Sequence, residues 1–279
     1  MPNQPLSLHM MTSGINIHYL DWREGAPRHL ILIHGLGSQS HTWDHFAGEV
    51  SHLFRVIVPD LRGHGKSGHA QDGYKLESFS MDLKALTRHL NLSKFDLVGH
   101  SLGALIAIRF AWEYPDLVNR LVLVDAGPDL DAQAAKSGGA AASFVRPVGF
   151  QTEDEAKSWY RARNPNDTEE KLSRRVEYGM KKNWADRWVF RHDPDLYWIL
   201  EGGDQRSNEY ECLWEMLAAI PCPVLVVRGE QSPLLLSEVA NEVAHRAANG
   251  RLIEITGAGH SVHADAPDLF REAVVEFLR

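Results

Sequence analysis

Phe95-Asp96-Leu97-Val98-Gly99-His100-Ser101-Leu102-Gly103 is the stretch on which the reading of the fold turns. Its first part is a short apolar run suited to a buried strand. Leu102–Glu113, which follows, is apolar nearly all round and stops just before Pro115, as a buried helix does. Between the two lies Gly99-x-Ser101-x-Gly103. The glycines permit a sharp turn that forces Ser101 into a strained, exposed position above the sheet. The helix behind it points its N-terminal N–H groups and positive dipole end at any developing oxyanion. Gly and Ser are common, so the five-residue pattern alone says little. In this strand–turn–helix setting it marks Ser101 as a nucleophile rather than a plain turn serine.

Outward from this point the same alternation continues. Leu30–Ile33, Arg55–Pro59, Leu121–Asp125, Val224–Arg228 and Arg251–Thr256 are further short apolar runs without polar alternation. Runs of this kind suit strands buried on both faces of a parallel sheet. Helical patterns separate them: Ser80–Leu90, with Leu83, Leu86 and Leu90 at helical spacing, and Pro267–Leu278 at the end. Residues 6–10 and 15–20 flank Ser13-Gly14 and read as an opening hairpin. Strand–helix alternation predicts an α/β fold with a mostly parallel central sheet and helices on both faces.

A serine hydroxyl needs a base to take its proton. Of the 15 histidines, His260 stands out by position. It follows the final strand through Gly257-Ala258-Gly259, at the carboxyl edge where open α/β sheets build their sites. His263 is the nearest rival and reads as a loop residue. An oxyanion needs two donors. The N–H of Leu102 follows the nucleophile, and the N–H of Leu36 comes from the loop His34-Gly35-Leu36-Gly37. His34 itself reads as a structural hydrogen-bonding residue.

These pieces resemble the α/β-hydrolase superfamily over almost the full chain. The matching motifs are His34-Gly35-Leu36-Gly37, Pro59-Asp60-Leu61-Arg62-Gly63-His64-Gly65-Lys66-Ser67, Gly99-His100-Ser101-Leu102-Gly103 and Gly257-Ala258-Gly259-His260. The resemblance implies that Asp60, Arg62 and His64 brace a structural loop. It also exposes a departure. Such proteins usually carry the triad acid after the strand corresponding to Val224–Arg228, and here Ser232 occupies the position where Asp is usual. A serine cannot support an imidazolium as a carboxylate does. Some relatives place the acid one strand earlier, which indicates Asp125. Glu230 is the alternative.

The alternation breaks once, and the resemblance implies a helical lid there. The expected organisation is a core over residues 1–127 and 219–279 with the lid inserted at 128–218. Thr152 and Glu155 form a capping-box pattern. Asn166-Asp167-Thr168-Glu169-Glu170 looks like a second helix start, with Lys181 and Lys182 near its end. Trp159, Tyr160, Trp184, Trp188, Tyr197, Trp198 and Trp214 would wall an apolar pocket. Arg146, Arg161, Arg163, Arg187 and Arg191 could bind a substrate carboxylate bidentately, although for any one of them a solvated charged face is the favoured reading. Gly138–Ser143 reads as a hinge or loop.

Composition narrows the function. A formal charge of −8 disfavours nucleic-acid binding, which needs a basic face. The N-terminal stretch lacks the apolar run of a signal peptide, and no stretch approaches the roughly 20 apolar residues of a membrane span. Cys212 and Cys222 fit no metal or disulfide framework and read as buried thiols in a reducing compartment. The expectation is a cytoplasmic enzyme, monomer or homodimer, without cofactor or metal, acting on a small molecule. The reaction expected is hydrolysis of a small carboxylic ester or lactone through an acyl-enzyme. An amidohydrolase or carbon–carbon hydrolase of an acidic ring-cleavage product is the alternative within enzymes. A non-catalytic receptor on the same fold is the alternative outside them. A serine at position 101 disfavours a haloalkane dehalogenase, whose nucleophile would be a carboxylate.

Overall fold

Ser13 and Gly14 turn the chain between β1 (Leu6–Thr12) and β2 (Ile15–Trp22), with Thr12 paired to Ile15. Both turn residues have positive φ, 46° and 77°, as a type I′ hairpin requires. The structure is a computed structural model that describes residues 4–23, 26–71, 73–128, 147–164, 167–197 and 204–279. After the hairpin come β3 (Arg28–Ile33), α1 (Asp44–Val50), β4 (Phe54–Pro59) and α2 (Leu76–His89). β5 (Phe95–His100), α3 (Leu102–Glu113) and β6 (Val118–Val124) follow. With β9 (Val224–Gly229) and β10 (Gly250–Ile255) from later in the chain, the strands form one eight-stranded sheet in the order β1-β2-β4-β3-β5-β6-β9-β10, with only β1 and β2 antiparallel to their neighbours.

Alternate residues of the central strands feed two cores, which is why the runs are apolar without a break. Ile31, Ile33, Leu97, Leu121, Leu123, Val224 and Val226 pack with α2 and α3 on one face. Leu30, Leu32, Val98, Val122, Val124, Leu225 and Val227 pack on the other face, with Phe46 and Val50 of α1. A fully buried side chain of this size stabilises the fold by about 1.5–3 kcal/mol.

Between β6 and β9 the chain leaves the sheet. Thr152 caps α4 (Glu153–Arg163) by accepting the Glu155 N–H at 3.2 Å. The expected reciprocal bond lands elsewhere. Glu155 Oε2 accepts from the Gln151 N–H at 2.7 Å, so its longer side chain reaches one residue past the cap. Thr168 caps α5 (Glu169–Gly179). Lys181 and Lys182 lie beyond this helix, in β7 (Met180–Lys182), which pairs with β8 (Trp188–Phe190). The insertion is therefore not helical throughout. Its hairpin is closed by Asn183, whose Oδ1 accepts the N–H groups of Ala185 and Arg187, and by Asp186 at φ 58°.

The insertion's aromatics divide three ways. Phe150, Trp159, Tyr160, Trp188 and Phe190 pack on one another around Ala156, Val176 and Met180. Trp184 is 98% exposed at the hairpin turn and walls no pocket. Trp214 packs against the main core, under Arg246. Trp198, Arg146 and Gly138–Ser143 lie outside the described residues.

α6 (Asp204–Ala219) returns the chain to β9 (Val224–Gly229), α7 (Ser237–Arg246) and β10 (Gly250–Ile255). α8 (Val262–Asp265) and α9 (Pro267–Leu278) close it. Cys222 is buried, but Cys212, on α6, is exposed, contrary to its expected burial. No helix among the described residues is long and apolar enough to cross a membrane.

Candidate active site

Two non-glycine residues with positive φ stand side by side at the carboxyl edge of the sheet. Ser101 follows β5 at φ 54° and ψ −120°, and Asp125 follows β6 at φ 50°. Each continues its strand's ladder by one bond: Ser101 N–H to Val124 O at 3.0 Å, Asp125 N–H to Val227 O at 2.8 Å. Such backbone costs about 1–3 kcal/mol and persists only where surrounding structure imposes it.

The glycines of the motif explain how the serine is imposed. A Cβ at Gly99 would stand 2.2 Å from Gly103 O, and one at Gly103 would stand 2.6 Å from Ile33 O. Strand, turn and helix thus meet backbone to backbone. Gly35 closes on the same turn, since a Cβ there would stand 3.0 Å from Ser101 Cβ. The loop carrying Leu36 therefore lies directly against the serine.

That loop is held from the Asp60–His64 segment at three points. The Leu61 N–H donates to His34 Nε2 at 3.1 Å, the Gly37 N–H to His64 Nε2 at 3.0 Å, and the Ser40 N–H to Asp60 Oδ1 at 2.6 Å. His64 Nδ1–H donates to Arg62 O at 3.0 Å, which leaves Nε2 as an acceptor. Burial, followed by neighbouring His34, holds the His64 pKa well below its ordinary value, so the ring stays neutral. Arg62 is itself buried in a two-bond pair with Asp82. The bracing role expected of Asp60, Arg62 and His64 matches these contacts. With Gly37 engaged by His64 and Ser38 turned back onto Gly35 O, the Leu36 N–H has no acceptor among the described residues. Leu102 opens α3, so its N–H also lacks an intrahelical acceptor.

His260 Nδ1 lies 2.7 Å from Asp125 Oδ2. The carboxylate is fully buried, whereas the imidazole is 27% exposed. Asp125 Oδ1 accepts the Gly229 N–H at 3.0 Å, and Oδ2 also accepts the Ser232 hydroxyl. Glu230, the alternative acid, faces away and accepts the Gly257 N–H at 2.8 Å. The His260 loop is seated on β9, because a Cβ at Gly229 would stand 2.1 Å from Gly259 O. It is also tied to the serine turn, with His100 Nε2–H donating to His260 O at 2.9 Å and the two rings 4.7 Å apart. No hydrogen bond joins Ser101 Oγ to His260 among the described residues, and such bonds often tighten only once substrate binds. His263, the rival base, is buried and stacked on Trp43, and burial pushes its pKa down to about 3.

Sequence reasoning missed three contributors: His100, Ser232 and Gly229. Ser232 was visible only as a departure from the motif. A second Ser–His–Asp chain was also missed. Ser7 Oγ lies 2.8 Å from His18 Nε2, and His18 Nδ1 lies 2.8 Å from Asp60 Oδ2. Ser7 sits inside the regular strand β1, with no sharp turn and no helix N-terminus behind it.

A model of the alpha/beta hydrolase family matches residues 30–273. The chain belongs to this family. It is 30% identical over 268 residues to a 3-hydroxybutyrate-oligomer hydrolase of Cupriavidus necator, covering 92% of this chain and 89% of that one. It is 32% identical to an esterase of Mycobacterium tuberculosis, covering 94% and 85%. The solved structure of an E-2-(acetamidomethylene)succinate hydrolase superposes with a TM-score of 0.86 over 98% of this chain and 99% of that one. At 24% identity that likeness speaks for the fold alone. The names of the two curated relatives support a hydrolytic enzyme.

Of the insertion's described arginines, Arg161 pairs with Glu169, Arg163 lies over the Trp159 ring at 4.0 Å and Arg187 donates to Gly149 O at 2.7 Å. Arg191 Nε is buried with no hydrogen-bond partner among the described residues.

Proposed function

We propose that the chain is a cofactor-independent serine hydrolase of small carboxylic esters or lactones. The observation that carries this reading is the buried Asp125 carboxylate bonded to Nδ1 of His260 beside a serine held in a strained turn. Ser101 Oγ attacks the substrate carbonyl while His260 Nε2 takes its proton. Asp125 fixes the tautomer that leaves Nε2 free and supports the imidazolium. The oxyanion is received by the N–H groups of Leu36 and Leu102. His260 then protonates the leaving alcohol, and water activated by the same imidazole releases the acid.

Residues 128–218 serve in this reading as the lid that shapes the acyl pocket. Ester cleavage is also what the names of the M. tuberculosis esterase and the C. necator oligomer hydrolase describe for those proteins. A p-nitrophenyl ester series from acetate upward, extended to lactones and amides, tests the proposal. Multiple turnover of short esters, abolished by about 10⁶ in Ser101→Ala with the fold intact, is expected. A few-fold loss in that variant removes Ser101 as nucleophile. Single-turnover release in the wild type indicates a receptor instead.

A further inference from the structure

Ser232 lies in the loop that follows β9, and its hydroxyl is fully engaged. Its Oγ accepts the N–H groups of Leu234 at 3.2 Å and Leu235 at 3.4 Å. A hydroxyl has one hydrogen and two lone pairs. With both lone pairs engaged by the backbone, the hydrogen is directed at Asp125 Oδ2, the same oxygen that faces His260 Nδ1. The residue is 6% exposed, so water does not compete freely for either partner.

Asp125 needs such help for a physical reason. Its carboxylate is fully buried, and no lysine or arginine side chain is bonded to it among the described residues. The oxygens of a buried carboxylate must be met by hydrogen-bond donors. Three donors meet it: Gly229 N–H on Oδ1, Ser232 O–H and His260 Nδ1–H on Oδ2. Gly229 fixes one oxygen, but one contact leaves the group free to swing about it. Ser232 supplies the second fixed contact, from the loop after β9, and so sets the plane in which Oδ2 meets the imidazole. Hydrogen bonds to charged groups are the stronger ones.

We infer that Ser232 is a positioning residue, whose hydroxyl, oriented by the Leu234 and Leu235 amides, locks the Asp125 carboxylate against His260. This rests on the serine-hydrolase reading. It differs from a purely structural role in one measurable way. The carboxylate supports the imidazolium that forms during acylation, so loss of the lock lowers kcat and leaves KM nearly unchanged.

The experiment compares Ser232→Ala, Ser232→Cys and Ser232→Thr on a p-nitrophenyl ester, with melting curves for each and Ser101→Ala and Asp125→Asn alongside. Cysteine keeps the shape of serine, is slightly larger at sulfur and is a far weaker donor. Ala and Cys are expected to lose about tenfold in kcat with KM within about twofold, and Thr, which keeps the hydroxyl, to stay within about threefold. If Ala is unfolded, the Cys and Thr pair decides. Wild-type kcat in a folded Ala or Cys variant overturns the assignment, as does an equal loss in folded Thr and Cys variants. Substantial turnover by Ser101→Ala would instead overturn the hydrolase reading itself, and the two failures are separately visible.

Discussion

At the scale of single residues, the geometry separates two carboxylates that look alike in sequence. Asp125 reaches His260 because it is short and leaves the end of a stiff strand, with both oxygens met by donors. Glu230 is spent on capping Gly257 at the exposed edge of the loop. Asp125→Asn is therefore expected to lower kcat by about 10³–10⁴, since an amide favours the wrong imidazole tautomer. Glu230→Gln should stay within about tenfold, below roughly 1.4 kcal/mol of barrier. Steady-state kinetics on the same ester, with circular dichroism to establish folding, decide between them. A crippled Glu230→Gln beside an active Asp125→Asn would reverse the roles. The Ser7–His18–Asp60 chain has the same connectivity without the rest of the site. It lacks the strained serine and the flanking amides, and Asp60 there is occupied in tying down Ser40 and Lys66.

At the scale of elements, the critical joint is where β3, β5 and α3 meet. Gly99 and Gly103 allow three backbones to touch where any side chain would intrude. Gly99→Ala forces a Cβ to within 2.2 Å of Gly103 O, and backbone there has nowhere to retreat. Urea denaturation should show a loss of about 3 kcal/mol, the upper end of ordinary overpacking, together with loss of activity. Gly14, with φ 77° and nothing within 4 Å of its virtual Cβ, provides the contrast. Alanine there pays only for the left-handed backbone, about 1–2 kcal/mol. Equal stability of Gly99→Ala and wild type would mean that the joint is looser than drawn. The insertion teaches the opposite lesson about local signals. Its helix starts at Thr152 and Thr168 were readable, whereas its hairpin hung on Asn183 and Asp186, turn residues hidden between lysines and tryptophans.

At the scale of the whole molecule, the buried histidines set an acid limit. Burial lowers the pKa of His34, His64, His100 and His263, the last to about 3. These rings are neutral in the fold and take up protons once unfolded. Their contribution to stability is full above the unfolded value near 6.5 and is lost as pH falls toward the folded value. Asp60 works in the same sense at lower pH. Burial pushes its pKa up, but hydrogen bonding and charge from His18 bring it below the ordinary value, so its stabilisation also fades on acidification. Asp96, raised by burial, opposes the trend with a single group. The melting temperature should fall by roughly 10 °C between pH 7 and pH 4, monitored by circular dichroism. A flat profile over that range would show that the histidines are reached by water.

The sequence by itself determined the strand–helix alternation of the core, the serine turn, the place of His260 after the last strand and the sheet's two-sided burial. Those features rest on local rules: glycine's freedom at a sharp turn, the period of apolar residues, and caps within one helical turn. It did not determine which carboxylate faces His260, what Ser232 does, or that His64 and Asp60 hold the loop of Leu36. Each of these is a contact between segments far apart in the chain: Asp125 with Ser232 and His260, Gly37 with His64. They become neighbours only because β6 lies beside β9 and β3 beside β4 in the folded sheet. Strand order is a property of the packed whole, and a hydrogen bond between side chains depends on tenths of an ångström that no residue type encodes alone.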